Sequence, residues 1–104
     1  MKEKCNKHIW IEAEEWAEGQ WNFVDCNTDV KVTFTNRSVW IASFFTYENI
    51  QTLTEKNKKT GEEMSGAYFW SSDMVLIDVA SRERILAVID YLLESDQFET
   101  VFTR

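Results

Sequence analysis

A chain of 104 residues with 18 Asp and Glu against 11 Lys and Arg is one domain long and carries a net charge of −7. A field of that sign repels nucleic acid and anionic membrane and draws cationic partners. With 44% hydrophobic and 14% aromatic residues the chain is too apolar for disorder, and it is long enough to bury a core without a metal or disulfide staple.

The first residues, Met1-Lys2-Glu3-Lys4-Cys5-Asn6-Lys7, are charged, and no apolar run behind them reaches the length of a signal or membrane segment. A cytoplasmic protein is the expectation. Cys5 and Cys26 form no CxxC pair and have no histidine at ligand spacing, so two reduced thiols are expected rather than a zinc or redox site.

From His8 to Trp16 the apolar residues fall at Trp10 and, out of phase, at Ile9 and Ile11, a strand of ambiguous facing. Gly19-Gln20 can turn the chain into a second short strand at Trp21-Asn22-Phe23-Val24. Between Lys7 and Lys31 there is no Lys or Arg, while Glu12, Glu14, Glu15, Glu18, Asp25 and Asp29 all fall there. Two indoles, Trp16 and Trp21, stand among these carboxylates.

Val30, Val32 and Phe34 then alternate with Lys31, Thr33 and Thr35, which predicts a half-buried strand. Asn36-Arg37 is read as a two-residue turn into a second hairpin arm from Ser38 to Phe45. Thr46 is placed to cap a helix from Tyr47 to Lys58, with Ile50, Leu53 and Tyr47 on one face, lysines toward its end and Gly61 stopping it. A loop from Gly61 to Gly66 leads to Tyr68-Phe69-Trp70. Ser71-Ser72-Asp73 breaks the chain before Met74–Val79, which reads as a central strand.

Ser81 caps the last long helix, where Ile85, Val88, Ile89 and Leu92 form an apolar stripe that Leu86 and Leu93 widen. The tail, Phe98 to Phe102, suits a short strand or a further helical turn. The order β-β-β-β-α-β-α predicts an α+β domain, an antiparallel sheet of four to five strands packed on one side by two helices.

Catalytic machinery is hard to find. His8 is the single histidine and no nucleophile context accompanies it. Glu12 and Glu14 on a strand share a face and Glu15 takes the other, so the glutamates have no defined geometry for acid–base work. No cofactor and no metal is expected, and the chain reads as no enzyme. Single-strand nucleic-acid readers need a basic groove, and the few lysines here do not make one.

Trp10, Phe34, Trp40 and Phe44 are expected in the core. Exposed indoles anchor many protein interfaces, and the candidates are Trp16 and Trp21, with acidic or polar neighbours, and Trp70 at the break before Asp73. The expected partner-binding set is therefore Glu12, Glu14, Glu15, Trp16, Glu18, Trp21, Asp25, Asp29, Trp70 and Asp73.

The blocks FFTYENIQTLTEKNKKTGE from Phe44 to Glu62 and YFWSSDMVLID from Tyr68 to Asp78, followed by a helix and a short FETVF end, resemble a family of small acidic bacterial immunity proteins of contact-dependent growth inhibition and related polymorphic toxin systems. The resemblance implies an antidote that binds a cognate toxin domain, expected to be a basic nuclease, and blocks its active site or its access to substrate. It covers the C-terminal two thirds of the chain and assigns no interface residues. The alternative reading is a regulatory or adaptor domain that binds a host protein.

Overall fold

The computed structural model describes residues 6–104, so the expectation for Cys5 lies outside the described residues. Its strands are β1 Lys7–Ile11, β2 Asn27–Phe34, β3 Val39–Thr46 and β4 Met74–Ile77. Its helices are α1 Tyr47–Thr60, the short α2 Glu62–Gly66, α3 Arg82–Glu94 and α4 Phe98–Val101, with a 3₁₀ turn at Glu12–Glu15. The strands form one sheet in the order β1-β2-β3-β4.

The α+β class is as expected, but the all-antiparallel sheet is not. β1–β2 and β2–β3 are antiparallel, whereas β4 runs parallel to β3, making the sheet mixed. The cause is the connection: α1 and α2 lie between β3 and β4, and a crossover of that length carries the chain back to the end where β3 began. β4 is also an edge strand rather than a central one, and it stops at Ile77. There Asp78 turns its own backbone, accepting from Val79 N at 2.7 Å.

The expected strand at Trp21–Val24 does not form. Asn22 Oδ1 accepts from both Val24 N at 3.0 Å and Asp25 N at 3.2 Å, and this side-chain bonding holds the backbone in a bend. β1 likewise ends at Ile11 rather than Trp16, because Ala13 N donates to the buried Thr28 Oγ1 at 2.9 Å and the chain coils into the 3₁₀ turn.

Alternation along β2 and β3 assigns the faces. Val30, Val32, Phe34, Ala42 and Phe44 point inward with Ile9 and Ile11. They meet Ile85, Ile89, Leu92 and Leu93 from α3, and Phe98 and Phe102 from the tail. Each such aliphatic or aromatic side chain contributes about 1.5–3 kcal/mol by leaving water. Ser81 caps α3 as expected, its Oγ accepting from Arg84 N at 3.2 Å. The stripe Ile85, Ile89, Leu92 is buried, with Val88 and Leu86 half-buried beside it.

The tail, Phe98 to Phe102, takes the helical one of its two expected forms. A helical turn at Phe98–Val101 stacks Phe98 on Phe102, centroids 4.4 Å apart. Thr103 then exchanges two backbone bonds with Ile41, at 2.7 and 2.9 Å.

The second predicted packing helix behaves differently. α1 starts where β3 ends, Thr46 Oγ1 accepting from Asn49 N at 3.1 Å, and stops at Gly61, whose φ of 87° closes a bond from its N–H to Asn57 O. Its buried residues are Asn49 and Asn57, while Ile50 and Leu53 are half-buried and Tyr47 is exposed. α1 is therefore not an apolar layer on the sheet. The layer is α3 with α4.

The segment after Gly61 is unusual. Glu63, Met64 and Ser65 all sit near φ +55°, ψ +45° (φ 51°, 53° and 58°), so α2 is a left-handed turn. Each non-glycine residue there costs roughly 1–2 kcal/mol. Gly66 closes the turn against α1 at φ 81°, and a Cβ on it would meet Thr54 O and Lys58 Cγ at 2.9 Å.

Candidate partner-binding surface

α3 and α4 cover one face of the sheet. The strand register places the other face in rows: Trp10, Lys31 and Ile41 in one, His8, Thr33 and Val39 beside it, and Asp29, Ser43 and Met74 on the other side. Leu76 and Phe45 continue the face, and Phe69 covers Phe45 with ring centroids 5.4 Å apart.

Val39, Ile41 and Leu76 are 40%, 38% and 43% exposed. Trp10, expected in the core, lies on this open face instead. It is held there by two charges: its Nε1 donates to a Glu15 carboxylate oxygen, and Lys31 Nζ sits 4.9 Å from the ring centroid. A cation over an indole at an exposed site contributes about 0.5–1 kcal/mol.

Four of the expected carboxylates come to this face or its rim. Glu15 binds Trp10, Glu12 Oε1 accepts from Asp29 N at 3.3 Å, and Asp29 Oδ1 accepts from Ser43 Oγ at 2.8 Å. Asp73 sits beside them, its backbone oxygen accepting from Ser43 N at 2.9 Å and its side chain accepting from Thr103 Oγ1. Asp73 holds φ 53°, a left-handed conformation that Asp tolerates better than most residues. Trp70 is 65% exposed, and it directly follows Phe69, which lies on the same face.

The remaining expected residues do not join them. Glu14 Oε1 lies 2.7 Å from Arg82 Nη1 at the start of α3. Asp25 is committed to the base of α1, accepting from Asn49 Nδ2 and Thr52 Oγ1, both at 2.8 Å. Glu18 is exposed in the loop that follows the 3₁₀ turn.

Trp16 and Trp21 are half-buried and pack on the core. Trp21 Nε1 donates to Ala80 O at 3.2 Å, and its ring meets Phe23 edge-on at 4.9 Å. Burial pushes the Cys26 thiol above its ordinary value of 9.0; the polar Trp21 indole opposes that rise, and the Asp25 charge adds to it. A buried, protonated thiol is a poor nucleophile.

The acidic, indole-bearing stretch is therefore divided. Its glutamates reach two different sides of the sheet, and its indoles belong mostly to the core. Sequence reading missed Trp10, Val39, Ile41 and Leu76 as surface residues. The signal was present for Ile41, which alternates with Ala42 and so must face away from it. A fully apolar run hides that period.

Among the described residues no group of three His, Cys, Asp or Glu is placed to hold a metal ion, and no helix is long and apolar enough to cross a membrane. Comparisons with protein-family models, with curated proteins and with solved structures returned no match.

Proposed function

We propose that this chain is an immunity protein that binds and neutralises a cognate bacterial toxin domain, a basic nuclease, by occluding its active site or its substrate's access. It acts by binding and carries out no reaction of its own. The observation behind this reading is the uncovered sheet face, where Val39, Ile41 and Leu76 meet water and Glu12, Glu15, Asp29 and Asp73 stand on or beside the same surface. An apolar centre with charged surroundings is the general make-up of a protein interface: the centre supplies desolvated area, and the charges set orientation and on-rate.

A nuclease must present cations to hold phosphates, so its cleft is the complement of such a rim. Trp70 supplies an exposed indole next to the face, the residue type most enriched among interface hot spots. The net charge of −7 adds long-range attraction that weakens with salt.

The test is co-expression in a bacterial host with the toxin domain encoded next to this gene. Rescue of growth, with the pair co-purifying, is expected. Death of cells expressing both, with the immunity chain folded and present, sinks the reading.

A further inference from the structure

We infer that the outer edge of β4 docks an extended segment of a partner protein whose apolar centre is flanked by Lys or Arg. The groups involved are backbone N–H and C=O at the sheet edge, apart from the side chains of the open face, whichever protein supplies the segment.

The geometry begins with Ser43 N, which donates to Asp73 O at 2.9 Å. In a parallel ladder this bond aims Val75 and Ile77 at β3 and leaves the N–H and C=O groups of Met74 and Leu76 pointing outward. Among the described residues no hydrogen bond reaches those outward groups. Natural edge strands are usually blunted by shortness, charged side chains, Pro or a bulge, and β4, four residues long, has shortness but no charged side chain and no Pro. Here the four residues Met74-Val75-Leu76-Ile77 are all apolar, and the chain contains no proline. Backbone pairing at such an edge supplies affinity, and the alternate side chains supply selection.

The flanking charges choose the occupant. Asp73 precedes the strand and Asp78 follows it. The occupant is not a second copy. The one two-fold antiparallel register that pairs both outward residues, centred on Val75 so that Met74 of one copy meets Leu76 of the other, brings Asp78 of each copy within one residue of Asp73 of its partner, at both ends. Acid then faces acid, between chains that each carry −7.

A segment with cations at both ends reverses the sign of those contacts. Arg84 already lies 3.1 Å from Asp78, but both side chains are more than half exposed. An ion pair of that kind holds its partner weakly and yields to a competitor.

The experiment is an amide NMR titration of the full chain with a synthetic peptide of about eight residues, alternating valine and threonine between paired lysines. A counterpart peptide has glutamate in place of lysine. The lysine peptide is expected to shift the Met74 and Leu76 amides and slow their hydrogen exchange, and the glutamate peptide to leave them unchanged.

Leu76→Pro removes an outward N–H that β3 does not use, so it should abolish the response while the rest of the spectrum persists. Asp73→Asn combined with Asp78→Asn keeps the backbone conformations and should weaken binding by about five- to tenfold. Equal response to both peptides, shifts lying away from β4, no response at millimolar peptide, or an unchanged affinity in the double variant overturns the inference.

Discussion

α1 and α3 are helices of 14 and 13 residues that begin in the same way, yet they serve different ends. Each has a hydroxyl cap, Thr46 or Ser81, accepting the N–H three residues on. α3 then buries Ile85, Ile89, Leu92 and Leu93, whereas α1 buries Asn49 and Asn57. Caps fix where a helix starts. The apolar stripe decides whether that helix becomes a layer of the core.

α1 is anchored instead by polar bonds at its base and by the left-handed turn at its end. Asp25 reaches Asn49 and Thr52, Asn27 Nδ2 donates to Asn49 Oδ1 at 2.9 Å, and Thr46 Oγ1 accepts from Cys26 N at 3.2 Å. A helix held in this way should respond to different substitutions from one held by packing.

The largest effect is expected in α3. Ile89→Ala should lower stability by about 2–5 kcal/mol in urea melts, while Leu53→Ala in α1, removing a half-buried side chain, should cost about 1 kcal/mol or less. Equal losses would break the comparison. Gly66→Ala comes next, at about 1–3 kcal/mol, since it forces a Cβ onto Thr54 O at a positive φ. Hydrogen exchange should show that loss confined to α1 and α2. A global loss would mean that the turn belongs to the core.

Asp25→Ala should cost about 1–2 kcal/mol because it strips Asn49 and Thr52 of an acceptor, and Glu14→Ala less than about 1 kcal/mol because its ion pair with Arg82 is exposed. Thermal melts of the two variants rank these anchors.

The smallest effect is a pH dependence. The Cys26 thiol has its folded value raised above 9.0, so the unfolded chain ionises first. Its contribution to stability is full below pH 9 and is lost as pH rises through the folded value. Cys26→Ser should flatten that part of the stability profile relative to the parent. Identical slopes above pH 9 would contradict it.

Elements whose signals are local were legible in the sequence. Thr46, Gly61 and Ser81 mark helix ends by their own side-chain and backbone chemistry, and Val30, Val32 and Phe34 reveal their facing by alternation. Non-local features were not legible. Nothing within Met74–Ile77 says that it pairs in parallel or lies at an edge, because both follow from where α1 and α2 return the chain. Glu12, Glu14 and Glu15 look like one acidic cluster until the 3₁₀ turn sends Glu14 to Arg82 and Glu15 to Trp10. Trp16 and Trp21 have polar sequence neighbours but apolar spatial ones, so their surroundings in the chain misstate their burial.

The claim that the open sheet face is the docking surface is tested most directly by calorimetric titration of the cognate toxin domain against the parent and against Ile41→Lys. Ile41 is exposed, so the substitution should change stability by no more than about 0.5 kcal/mol. It places a cation and a longer side chain at the centre of the face, between Lys31 and Thr103. The account predicts affinity at least about tenfold weaker for the variant. Unchanged affinity in a folded Ile41→Lys protein would contradict it.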